Sequence, residues 1–245
     1  MKTGFWEAVA SNLGFVMVFI FIVVLMFVVA YMFDKMAKKR NGSTERILST
    51  RKIVVIGMFS AIAEILFLLD FPVPFLAPPF YKLDFSELPV LIAGFAYGPV
   101  AGVMVEFIKI LLNFVVDGTD TMLVGEFANF VVGCSFILPA TILYDFKKTK
   151  KNAFCSCIVG TLVLIVIGTC FNALYLLPAF SKLYGLPLDD IIAMGTAING
   201  NIHNLTTFVI FAVAPINLVK GFFISLVTLL IYKKISPIIK EGHRQ

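Results

Sequence analysis

The chain has 245 residues, 60% of them hydrophobic and 14% charged, with a mean hydropathy of +0.97. That apolar share exceeds what a water-soluble domain carries, so the sequence reads as an integral membrane protein. The net charge of +5 does not point to nucleic acid, because fifteen of the 20 Lys and Arg residues fall in three blocks between or after apolar runs.

Residues 13–33 form an uninterrupted apolar run of 21 residues followed by Lys35, Lys38, Lys39 and Arg40. This predicts a spanning helix with a cytoplasmic C-terminal end. The length of the run, the positive flank on its far side and the lack of a small-x-small site argue against a cleaved signal peptide. A polar linker over 41–49 follows, so 1–48 reads as an extra transmembrane helix with its linker and 49–245 as the main membrane domain.

The next run, 53–69, carries Gly57, Ser60, Ala61 and Ala63. Gly57-x-x-x-Ala61 fits a helix-contact face, with packing inside the chain as its simplest use. Residues 70–82 hold Pro72, Pro74, Pro78 and Pro79 between aromatics, which predicts a stiff loop suited to covering a cavity. Leu83-Asp84-Phe85-Ser86-Glu87-Leu88-Pro89 opens the following helix, with Asp84 or Ser86 as its cap and the acids favourably placed at its N-terminus. That helix ends at Tyr97 before a Gly98-Pro99 turn.

The helix predicted over 100–116 contains Glu106 and Lys109 at i, i+3 and Asn113 a turn later. A structural ion pair and a contact with ligand or partner explain that pair equally well. Residues 117–121 form an acidic loop, expected outside, and the helix over 123–146 places Glu126 and Asn129 on one face near its outer end. Lys147, Lys148, Lys150 and Lys151 make the next basic loop. The helix over 153–177 contains Asn172 among apolar neighbours, which taken alone reads as a helix–helix hydrogen bond. An outer, partly helical excursion over 178–201 leads past His203, read as interfacial, to the last helix at 207–232.

That last helix holds Pro215-Ile-Asn-Leu-Val-Lys-Gly221, in which Asn217 and Lys220 share a face with no acid in the neighbouring turns. A lysine at membrane depth costs at least a few kcal/mol, so the pair marks a functional polar site facing the protein interior. The four cysteines lie in apolar runs without ligand-like companions, and no metal site is expected.

With the three basic blocks cytoplasmic, the N-terminus lies outside, the C-terminus inside, and six core helices follow the extra one. Asp84, Glu87, Glu126, Asn129, Asn172, Asn217 and Lys220 then fall towards one side of the membrane and suggest a single outward-facing pocket. Amides, an ammonium and carboxylates beside Phe and Tyr suit a small, flat, partly polar ligand, uncharged or weakly anionic. The sequence has no P-loop, HExxH or GxSxG motif.

Five stretches together, Leu83 to Pro89, Val105-Glu-Phe-Ile-Lys109, Gly125-Glu-Phe-Ala-Asn129, Asn172 within Phe171 to Pro178, and Pro215 to Gly221, resemble the riboflavin-specific substrate-binding (S) component of energy-coupling factor (ECF) transporters. The resemblance covers about residues 49–240. It implies a six-helix all-α membrane bundle in the cell membrane, here preceded by one added helix. It further implies a binding subunit without catalytic activity that takes riboflavin as transported ligand, not as cofactor, and delivers it with a transmembrane coupling subunit and two ATPases. Asn172, Asn217 and Lys220 would hydrogen-bond the polar edge of the isoalloxazine ring, and Asp84 or Glu87 would accept from ribityl hydroxyls. Where the family has an alanine-x-x-x-alanine face for the coupling subunit, this chain has Gly57 and Ala61.

Two other readings stand beside it. The same fold serves other small vitamins, such as biotin or thiamine. An intramembrane enzyme acting on a lipid would draw its acid–base groups from Glu106, Lys109 and Glu126.

Overall fold

The computed structural model describes the backbone over residues 13–43, 46–119, 121 and 123–241. The N-terminal end placed outside, Asp120 of the acidic loop, and the side chains of the basic tail beyond Tyr232 lie outside the described residues. Eight helices occur among those described: α1 (Leu13–Asn41), α2 (Thr50–Leu68), α3 (Glu87–Tyr97), α4 (Pro99–Val116), α5 (Val124–Phe146), α6 (Lys150–Tyr184), α7 (Leu188–Thr196) and α8. Helix α8 runs as Leu205–Phe208, a π turn at Val209–Val213, and Ala214–Glu241.

Five of these, α1, α4, α5, α6 and α8, are long and apolar enough to cross a membrane. Helix α2 is not among the five, and α3, with 11 residues, rises only about 16 Å against a hydrocarbon core of about 30 Å. The helices follow the expected order, but the shortness of α3 leaves its N-terminal end, and the loop before it, deep in the bundle. Gly98 sets where α3 stops: its φ of 99° suits glycine, and Pro99 starts α4 at a position where its missing N–H costs nothing.

Helix α1 is not a detached anchor. Phe19, Val23, Met26, Phe27 and Ala30 pack with Val100, Val103 and Ile110 of α4 and Phe130, Cys134 and Leu138 of α5. At its basic end Asn41 donates to the Asp145 carbonyl at 3.0 Å, and Asp34, fully buried, lies against Gly98. The opposite situation holds on α2. Gly57 and Ala61 both face outward, and nothing stands within 4 Å of where a Gly57 side chain would be, so the packing inside the chain expected for this pair does not occur.

One helix boundary is corrected and one loop gains detail. The helix predicted to end at Leu177 continues through Pro178 to Tyr184, as the first helical part of the excursion. Proline clashes with the preceding turn of an α-helix, and the π turn at Asn172–Leu176, in which the Leu177 N–H reaches back to the Asn172 carbonyl, widens the helix just before it. The proline-rich loop also has a regular element: Phe71–Pro72 (β1) pairs antiparallel with Lys82–Leu83 (β2), Phe71 opposite Leu83. This hairpin lays the loop over the bundle, where Val73, Ala77 and Leu83 join Leu177, Ile191, Ile202 and Phe208 in one apolar cluster.

Candidate functional site

A cavity of ≈ 520 Å³ opens between the loop over 70–82 and helices α4, α5, α6 and α8. Its wall includes Asp84, Glu126, Asn129, Asn172, Asn217 and Lys220, with Phe67, Phe80, Tyr81 and Phe180 as flat apolar surfaces. Six of the seven residues singled out from the sequence are therefore brought together, from stretches up to 136 residues apart. The seventh, Glu87, is not on the wall: it sits behind it, 2% exposed, at the first turn of α3.

The two asparagines meet over one glycine. Asn172 opens the π turn of α6; its amide donates to the Gly168 carbonyl at 2.8 Å and its oxygen accepts from the Tyr81 hydroxyl at 2.7 Å. Asn217 comes from α8, a few residues after that helix's own π turn, and its Nδ2 packs against Gly168. This nitrogen is buried with no hydrogen-bond partner among the described residues. A buried amide donor without a partner costs about 1–3 kcal/mol, which an acceptor brought by a ligand would recover. π turns recur at functional sites because they turn side chains off the regular helical rows, and here each asparagine follows or forms one.

Lys220, with no acid in the neighbouring turns of its own helix, finds one at the start of α3 and one just before it. Its Nζ lies 2.9 Å from Asp84 Oδ2 and 3.0 Å from Glu87 Oε2. Neither Asp84 nor Ser86 caps α3 as expected: Ser86 holds the cap position without a capping bond, and both its N–H and its hydroxyl donate to Asp84 Oδ1. The reason is that Asp84 is turned towards Lys220. Burial raises the Asp84 carboxyl, but the Lys220 and Lys109 ammoniums and the Ser86 hydroxyl more than offset this and hold it below the usual carboxylate range. It is ionised at any physiological pH. Burial likewise pushes the Tyr81 phenol up, keeping it a neutral donor to Asn172.

Glu106 and Lys109 form an ion pair at 2.8 Å, fully buried, and neither lines the cavity. Asn113, one turn on, does line it and donates to Glu64 Oε1 at 3.2 Å. On α5, Glu126 Oε2 accepts from the Thr121 hydroxyl at 2.9 Å. At the rim, Lys82 bridges both oxygens of Asp70 at 3.0 and 2.9 Å. Sequence reasoning missed Tyr81 and Thr121 as wall residues. The aromatic, proline-studded loop was the available signal for Tyr81; Thr121 had none. Among the described residues no cluster of three metal-ligating side chains occurs.

Comparison with known proteins identifies the family. The family model for the ECF transporter substrate-specific component matches residues 51–232. The chain is 36% identical over 191 residues to the riboflavin transporter RibU of Staphylococcus aureus (strain TCH60), covering 78% of this chain and 93% of that protein. It is 35% identical over 195 residues to the riboflavin transporter FmnP of Bacillus subtilis (strain 168), covering 79% and 96%. A solved S component of a bacterial ECF transporter superposes with a TM-score of 0.61 at 35% identity, covering 78% of this chain and 98% of that one. With most of the chain matched and nearly the whole length of these relatives spanned, this protein belongs to the substrate-specific components of ECF transporters.

Proposed function

We propose that this protein is the riboflavin-binding subunit of an ECF uptake transporter. The observation that carries the reading is the partnerless Asn217 amide beside Asn172 and Lys220 on one aromatic-flanked wall. The pyrimidine edge of an isoalloxazine presents carbonyl, N–H and carbonyl in sequence. Amides, which both donate and accept, and an ammonium, which only donates, suit that order. Asp84 and Glu126, with Asn129, are acceptors for ribityl hydroxyls. Of the three acid–base groups an enzyme would use, Glu106 and Lys109 lie away from the cavity and Glu126 alone lines it.

The three basic blocks support a cavity on the outer side, with the N-terminus outside and the C-terminus cytoplasmic. Delivery then needs the coupling subunit and two ATPases of the ECF module. The outward-facing Gly57 and Ala61, flanked by exposed Ile53, Val54, Met58 and Ile65, offer the coupling subunit a face where small residues let a helix approach closely. In this reading 1–48 is an accessory helix and 49–245 the binding domain.

Purification in mild detergent followed by titration of riboflavin, reading quenching of flavin fluorescence, tests the proposal. Saturable quenching that is weakened about tenfold or more in Lys220→Ala and Asn217→Ala is expected. A folded protein that quenches no flavin but binds thiamine or biotin would overturn the choice of ligand.

A further inference from the structure

Behind the cavity wall the buried charges close into a ring. Lys220 pairs with Asp84 Oδ2 at 2.9 Å and Glu87 Oε2 at 3.0 Å. The second oxygen of Glu87 lies 3.6 Å from Lys109 Nζ. Lys109 in turn donates to Ser86 Oγ at 3.0 Å, and the Ser86 hydroxyl donates to Asp84 Oδ1, which returns the circuit to Lys220. Each carboxylate thus turns one oxygen towards Lys220, while the other faces Lys109 directly in Glu87 and through Ser86 in Asp84. Only Asp84 and Lys220 of this ring face the cavity; Ser86, Glu87 and Lys109 do not.

A lysine ammonium is a point charge on a flexible four-carbon stem, and by itself it presents a donor in no fixed direction. The ring removes that freedom. One N–H direction of Lys220 is taken by Asp84, and the charge of Glu87 Oε2 at 3.0 Å holds the ammonium from a second side, so its position relative to the wall is fixed. Lys109, held in place by Glu106 at 2.8 Å, keeps Glu87 from swinging away.

Resting on the riboflavin reading, the geometry points to Glu87 and Lys109 as positioning residues that set ligand affinity by orienting Lys220, without touching the ligand. Glu87→Gln is the informative variant. It keeps size and one acceptor oxygen, and Lys220 still has Asp84, so no lone charge is left buried.

The experiment compares four full-length proteins in detergent: wild type, Glu87→Gln, Lys220→Met and the double variant. Each is measured for riboflavin affinity and for thermal stability. If Glu87 acts through Lys220, Glu87→Gln weakens binding about tenfold in the parent but changes it less than about twofold once Lys220 is Met. The same loss in both backgrounds, or no loss in either, overturns the inference. A second readout needs no ligand: the rate at which acetic anhydride modifies Lys220, followed by mass spectrometry against the exposed Lys82. Only the unprotonated amine reacts, so Lys220 should be refractory in the wild type and modified several-fold faster in Glu87→Gln. Wild-type protein that binds no riboflavin overturns the proposed function; an unchanged Lys220 rate in Glu87→Gln overturns the ring whatever the ligand proves to be.

Discussion

Gly168 is the most economical place to perturb the candidate site, because its missing side chain is what lets the two asparagines converge. A Cβ built there meets Asn217 Nδ2 at 2.6 Å and its Cγ at 3.3 Å. Ordinary contact begins at 3.4 Å, so in Gly168→Ala the Asn217 amide must retreat by about 0.8 Å. A shift of that size takes an N–H···O bond from about 2.9 Å to about 3.7 Å, beyond hydrogen-bonding distance. The ligand carbonyl is then left buried and unpaired, which costs about 1–3 kcal/mol. Riboflavin affinity should therefore fall about ten- to a hundred-fold. The fold should survive, since alanine favours a helix over glycine by about 1 kcal/mol and the displaced group is the mobile end of a side chain. Fluorescence titration gives the affinity, and a melting curve on the same sample gives the stability. Affinity within twofold of wild type in a folded Gly168→Ala protein would refute the placement of Asn217 in the site.

Removing the Tyr81 hydroxyl in Tyr81→Phe breaks the bond by which the loop holds Asn172, and stopped-flow release of riboflavin should quicken about three- to ten-fold while the melting temperature barely moves. Lys109→Met leaves Glu106 and Glu87 without their shared ammonium; breaking a buried pair costs about 3–5 kcal/mol, so a large drop in melting temperature is expected, and an unchanged one would contradict the role given to Lys109. No residue of α1 lines the cavity, so a chain beginning at Ser49 should keep riboflavin affinity within about twofold. Its α4–α5 face, around Val103 and Phe130, would meet lipid instead of α1, and lipid is as apolar as the helix it replaces.

The amino-acid sequence by itself determined the class, most helix positions and the chemistry to be found. Apolar runs have to be helices in lipid, since no water is there to satisfy backbone groups, and Gly98-Pro99 or Ser49 mark boundaries through local backbone preferences. A charge in an apolar run announces a site because its cost is local. What the partner of that charge is, however, was not legible: Lys220 meets Asp84 across 136 residues of chain, and helix periodicity reports only neighbours within a turn or two. For the same reason Glu87 looked like Asp84, a second acid at a helix start, until the bundle turned one onto the cavity wall and the other behind it. The π turns at Asn172 and Val209 left no composition signal either, because they arise where a helix adjusts to Pro178 and to its packed neighbours. Local sequence chose the groups; only packing of distant helices decided which of them face a ligand and which hold the others in place.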